Sequence, residues 1–216
     1  CRPHLKEVLR ADLPEAVVEP AETAGVLLWV NGRLVPTIST IRRLQSWLLE
    51  GRPGIVRTEE TVLAALLGAE TPRPPLGLRG AELVAWLKGL GLPRLELELP
   101  RLDYPHDVIR HQAAALLENL QDRIAQGGYQ EIADGVFVAP GATLGQYVVT
   151  ETTEGPIVLE AGARVGPYCY LSGPAHLGAG CRVIEHSAIK DAVALGHTTK
   201  VGGEVECSSI EPYTNK

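Results

Sequence analysis

The 216-residue chain has no methionine, a single phenylalanine and only 5% aromatic residues. No apolar run reaches the roughly 18 residues that a membrane-spanning helix requires, so a helical anchor within this stretch is set aside. A basic surplus is missing too. Lysine and arginine total 20 against 26 aspartates and glutamates, a net charge of −6. Nucleic-acid partners want a basic face, so that class is not expected. Four cysteines without a recognisable secretory leader point to a reducing, cytoplasmic setting. Without methionine there is no start residue, and Cys1 reads as lying mid-domain. The chain is therefore expected to be an internal piece of a longer protein, cut at both ends.

What is present is a repeat. Leu159, Val165, Leu171, Leu177, Val183, Ile189, Leu195, Val201 and Cys207 fall on an unbroken six-residue period. Four residues after each of the first eight stands a small or β-branched residue or cysteine: Ala163, Cys169, Ala175, Cys181, Ser187, Val193, Thr199 and Val205. Glu211 breaks that rule. A fixed period of this kind marks a repeat architecture. Three hexads per triangular coil predict a left-handed parallel β-helix in which the aliphatic and small positions point inward. One coil cannot bury its own face, so stacking supplies the stability. Val138 and Leu144, with Ala142 and Val148, extend the pattern upstream, and a three-residue slip across Thr150–Ile157 predicts a loop leaving the prism. A sandwich of short strands does not hold such a spacing.

Upstream, residues 3–13 read as a helix. Val26–Val30 reads as a strand, Asn31-Gly32 as a hairpin turn into Leu34-Val35, and Ile38, Ile41, Leu44 and Leu48 as a helix stopped by Gly51. Ile55-Val56 is a short strand. Thr58 with Glu59 and Glu60 predicts a helix over 59–68, although Thr61-Val62 leaves a strand open. Pro72, Pro74 and Pro75 mark a linker. Ala81–Leu90 is an amphipathic helix, and Leu95, Leu97 and Leu99 alternate as a half-buried strand. Tyr104-Pro105-His106-Asp107 opens a long helix with Pro105 in its first turn, closed by Gly127-Gly128. Its apolar face is expected on the first coil of the prism or on the N-terminal region. The divisions expected are an incomplete α/β domain over 1–75, a helical linker over 76–130 and the β-helix over 131–216.

Arg2-Pro3, the strand before Asn31-Gly32-Arg33, Tyr104-Pro105-x-Asp107, the hexads, and Gly196-His197-Thr198-Thr199-Lys200-Val201-Gly202-Gly203-Glu204 occur in one order. In this combination the chain resembles the sugar nucleotidyltransferase family. That family is similar in layout to the bifunctional N-acetylglucosamine-1-phosphate uridyltransferase/glucosamine-1-phosphate acetyltransferase. The resemblance covers nearly the whole chain. It implies an N-terminal domain that joins a sugar 1-phosphate to a nucleoside triphosphate with Mg²⁺, and a trimeric, acyl-coenzyme A-dependent β-helix. It places the catalytic residues outside this stretch. Active relatives carry Gly-Asp, with the Asp on metal, where this chain has Asn31-Gly32.

The residues singled out for substrate contact are His197, Thr198, Lys200, Glu204, Asn215 and Lys216, with Asn31 and Arg33 upstream. Glu204 could instead pair with Lys200 on the surface. Cys169, Cys181 and Cys207 read as small buried hydrophobes, and their spacing offers no metal site. His176, His186 and His197 are spaced by ten and eleven residues rather than by coils of eighteen, which argues against a shared metal. The alternative class is non-enzymatic: a trimeric β-helix scaffold with a degenerate N-terminal domain.

Overall fold

The computed structural model describes residues 25–75 and 77–216, together with Glu7, Arg10 and Ala11. Those last three are helical, and the rest of the helix expected over 3–13 lies outside the described residues. The chain divides into two compact units. One holds the described residues up to Gly32 and Leu44–Leu99; the other holds Arg33–Arg43 and Pro100–Lys216.

The first unit is built on a three-stranded antiparallel sheet, β1 (Leu27–Val30), β2 (Gly54–Arg57) and β3 (Val62–Leu67), in the order β1-β3-β2. Helix α1 (Ile38–Glu50) begins in the second unit and ends in the first. Residues 62–67 form the central strand, where a helix over 59–68 is the leading expectation. All six are buried, so the run shows neither the helical nor the alternating period. Thr58 closes the β2–β3 turn instead of capping a helix: its hydroxyl accepts the Thr61 N–H at 3.1 Å. Helix α2 (Gly80–Gly89) buries Leu87 among Ile55, Val62, Ala65 and Leu67. The expected strand at 95–99 joins β2 only at its start, where Leu95 N–H donates to Ile55.

Asn31-Gly32 does not turn a hairpin. β1 pairs with β3, whereas Leu34 bridges antiparallel to Arg101 in the second unit. The Asn31 amide is used inside the first unit, donating to the Val62 carbonyl at 2.9 Å. That bond favours the β3 partner over a local two-residue turn.

The second unit is a parallel β-solenoid of about four turns. Helix α3 (Asp107–Gln126) precedes a hairpin of β4 (Gln130–Ala133) and β5 (Val136–Val138). Three parallel faces follow. Face A stacks β5, β8 (Ile157–Leu159), β11 (Ala175–Leu177), β14 (Val193–Leu195) and β17 (Ser209–Ile210). Face B stacks β6 (Thr143–Leu144), β9 (Arg164–Val165), β12 (Arg182–Val183) and β15 (Lys200–Val201). Face C stacks β7 (Val149–Glu151), β10 (Tyr170–Ser172), β13 (Ala188–Lys190) and β16 (Glu204–Glu206). The expected inward positions from Leu159 to Val201 are all buried and form one continuous core.

Two departures bracket this regular section. Upstream the slip is where the spacing puts it: Val136 pairs with Ile157, twenty-one residues on, while Ile157 pairs with Ala175 after eighteen. Downstream the hexad register fails at Gly202-Gly203. Ile189 pairs with Val205, so Val205 fills the aliphatic position expected for Cys207, and Cys207 is exposed at a corner. Glu211 follows Ile210, the partner of Leu195, and so is a corner residue rather than a broken inward position.

Helix α3 starts at Asp107, two residues later than expected. The Asp107 carboxylate accepts the N–H groups of Asp103 and Tyr104, both at 2.8 Å, which fixes residues 103–106 as a turn. These bonds, the one from Tyr104 foremost, lower the Asp107 pKa. The helix lies along face A rather than on the first coil alone. Gln112 donates to the Ala192 carbonyl on the third coil, and Arg123 reaches Glu160 near the first.

Candidate functional site: cation and ring columns of the solenoid

The last coils gather six of the eight expected contact residues. His197 and Thr198 turn the A/B corner, with His197 Nδ1 lying 3.4 Å from Thr198 Oγ1. Tyr213, one coil on, meets the His197 ring edge-on at 4.8 Å. Lys200 begins face B and bridges to Asn215, and Lys216 N–H donates to the Lys200 carbonyl at 2.9 Å. Glu204 sits on face C, where its partner is Lys190 and not Lys200. Glu204 and Glu206 push the Lys190 pKa up to about 12. Lys216 Nζ donates to the Glu204 backbone carbonyl at 2.7 Å, tying faces B and C at this end.

The other two expected residues are structural in their visible contacts. Asn31 holds the β3 edge, as described. Arg33 Nε donates to the Leu102 carbonyl at 2.7 Å and Nη2 to Asp103 Oδ1 at 3.0 Å. These contacts stitch the chain, and the Arg33 side chain stays half-exposed.

Two columns escaped the sequence reading. On face B, Arg164, Arg182 and Lys200 stand directly above one another in the parallel ladder, with Thr143 at one end and Asn215 at the other. All three cations are exposed, and none forms an ion pair among the described residues. Like charges directly opposite each other across strands are destabilising, so the arrangement has a cost in the free protein. The signal was present in the sequence as the residue before each inward valine at 165, 183 and 201.

The second column lies at the B/C corner. Tyr147, Tyr168 and His186 stack one per coil, at centroid distances of 5.0 and 5.2 Å. Each has a positive φ, between 58° and 59°. At the A/B corner the equivalent left-handed positions are mostly glycine: Gly141, Gly162 and Gly180 before Thr198 and Tyr213. A non-glycine residue in that region costs roughly 1–2 kcal/mol. Three successive rings accept that cost while remaining solvent-exposed. The column stops at His186 because the next corner, Gly202-Gly203, is shorter.

His176 is engaged elsewhere. Its Nε2 lies 3.1 Å from Glu160 Oε1, which also accepts from Arg123 and from Tyr129 OH, each at 2.7 Å. This network pins α3 to face A. Burial lowers the His176 pKa, with Glu160 opposing it.

No protein-family model matches this chain, and no curated protein does.

Among the described residues no group of three or more His, Cys, Asp or Glu side chains could hold a metal ion. No described helix is long and apolar enough to cross a membrane. The geometry sets a row of fixed positive charge on face B beside a row of rings at the B/C corner.

Proposed function

We propose that this chain is part of a sugar-handling transferase of the sugar nucleotidyltransferase type, whose left-handed hexapeptide β-helix takes a phosphate-bearing substrate along face B. The Arg164–Arg182–Lys200 column carries the reading. Parallel strands stack about 4.8 Å apart, so the column offers a cation at each step with no internal acid to neutralise it. Arginine forks match phosphate oxygens in a bidentate geometry. A sugar 1-phosphate, a nucleoside triphosphate and acyl-coenzyme A all bring such oxygens. His197, Thr198 and Asn215 at the margin of the column supply hydrogen-bonding groups for the uncharged part of the substrate. In this reading Mg²⁺ would accompany nucleotidyl transfer, and acyl-coenzyme A would be the donor for acyl transfer.

The same reading makes the solenoid a homotrimer. Exposed Val149, Tyr170 and Ile184 flank the B/C corner, and packing between copies there would bury them while leaving the face B cations open to substrate.

Calorimetric titration of the chain with each of the three ligands tests the assignment at low ionic strength. At least one should bind, and Arg182→Ala should weaken it by about tenfold, as expected for a charge-assisted hydrogen bond. Failure of all three to bind, in a chain that sediments as a trimer, would favour the scaffold instead.

A further inference from the structure

A groove of about 460 Å³ runs along the solenoid axis between α3 and the C/A corner. It is remote from the face B column and has a different chemistry. Ile109, Ala113 and Leu117 of α3 and Pro174 and Ala192 of the corner make its surface largely apolar. Two carboxylates interrupt that surface, Glu154 and Asp191.

Their levels along the axis are fixed by neighbours. Glu154 belongs to the first corner, beside Gly155, where an added Cβ would press on Leu117 and Pro174. Asp191 belongs to the third, next to Ala192, whose carbonyl accepts from Gln112 at 2.7 Å. Two coil steps separate them, about 10 Å at the spacing of parallel strands. Both are exposed, and neither has an ion-pair partner among the described residues. The nearest basic residue in sequence, Lys190, is taken by Glu204 and Glu206 on face C. Asp191 is held with φ of 57° and Ala192 with φ of 63°, a reversal that turns the chain outward at this level.

A third feature lies at the Asp191 level. The Gln112 side chain lines the groove, and its Oε1 is buried without a hydrogen-bond partner. Folded proteins seldom leave a buried acceptor unpaired. The groove thus presents a negative charge at one end, an apolar stretch, and a second negative charge with an unused acceptor near it at the other end.

We propose that this groove binds a linear aliphatic diamine or polyamine. Methylenes lie on the apolar surface, terminal ammonium groups meet Glu154 and Asp191, and the ammonium at the Asp191 end has a further N–H for Gln112. An anionic or neutral chain of the same length leaves the two carboxylates unanswered, so charge complementarity selects the class. The site is independent of the function proposed for face B.

Titration calorimetry at about 0.15 M salt, where surface attraction to a net-negative protein is screened, tests the proposal. Spermidine and 1,6-diaminohexane should bind, and 1,6-hexanediol should not. Asp191→Asn, which tolerates a positive φ, and Glu154→Gln should each weaken binding by about tenfold. Glu50→Gln, an exposed acid elsewhere, should leave it unchanged. Cys207 borders the groove and its thiol is exposed. In a Cys1→Ser background the diamine should slow alkylation of Cys207 in the parent groove and not in the Asp191→Asn, Glu154→Gln double variant. The proposal is overturned if neither amine binds, if the diol binds equally, or if Glu50→Gln weakens binding as much as the groove variants.

Discussion

His176 Nε2 and Glu160 Oε1 lie 3.1 Å apart beneath α3, a half-buried pair in which burial drives the histidine toward its neutral form. Burial would also raise the Glu160 pKa, but hydrogen bonds from Tyr129 and His176 and the Arg123 charge outweigh it, and the net shift is downward. A histidine depressed below 6.5 binds fewer protons in the fold than in the unfolded chain. Its contribution is therefore present above that value and lost as pH falls below it. The depressed carboxyl contributes above its unfolded value of 4.5 and is lost as pH falls further. The melting temperature should drop in two stages from pH 7 to 4. His176→Gln should remove the upper stage; an unchanged profile in that variant would count against this pair as the pH-sensitive contact.

Replacing Val183, 2% exposed, by Asp should abolish the solenoid, because the charge has no buried partner. Leu177→Ala should cost about 2–5 kcal/mol. Circular dichroism melts report both, and a cooperative melt for Val183→Asp would mean that its side chain does not face the core.

Tyr168 separates two contributions. Its ring stacks on two neighbours, each pair worth about 0.5–1.5 kcal/mol, while its backbone is held at φ 58°. Tyr168→Ala loses the stacking and keeps the strain. Tyr168→Gly loses both. Glycine should therefore be the more stable replacement by about 1 kcal/mol in urea titrations; the opposite order would contradict a left-handed backbone at this corner.

Without a ligand, Arg182→Gln should stabilise the chain at low salt by up to about 1 kcal/mol, since it relieves repulsion from Arg164 and Lys200. The gain should fade near 1 M salt, where screening acts over about 3 Å. A salt-independent effect would indicate packing rather than charge.

Thiol counting gives a simple check on the register. In a Cys1→Ser background one cysteine, Cys207, should react rapidly in the folded protein. Cys169 and Cys181 are buried, and burial raises the Cys181 pKa, so both should react only on unfolding.

The hexad period was enough to place sixteen inward side chains from Leu159 to Val201 and Val205 correctly, because burial inside a prism imposes a strict alternation that composition reports. It failed at Cys207 because two glycines shortened a corner, and glycine gives no count of residues per turn. Residues 62–67 misled for the opposite reason: a strand buried on both sides has no period to read. The candidate contacts at His197, Thr198 and Lys200 were legible as a motif. Their most informative neighbours, Arg164 and Arg182, were not. They lie thirty-six and eighteen residues before Lys200, and only the coil turns that separation into adjacency.

The coils also differ in the number of residues they contain. Tyr170 follows its partner Val149 by twenty-one residues, Ala188 follows Tyr170 by eighteen, and Glu204 follows Ala188 by sixteen. A perfectly uniform repeat could slide by one whole coil and bury an equally apolar interior. Here the longer corner upstream and the shorter Gly202-Gly203 corner downstream each match one level only, so the unequal corners work as a keyed thread that admits a single register as the solenoid winds.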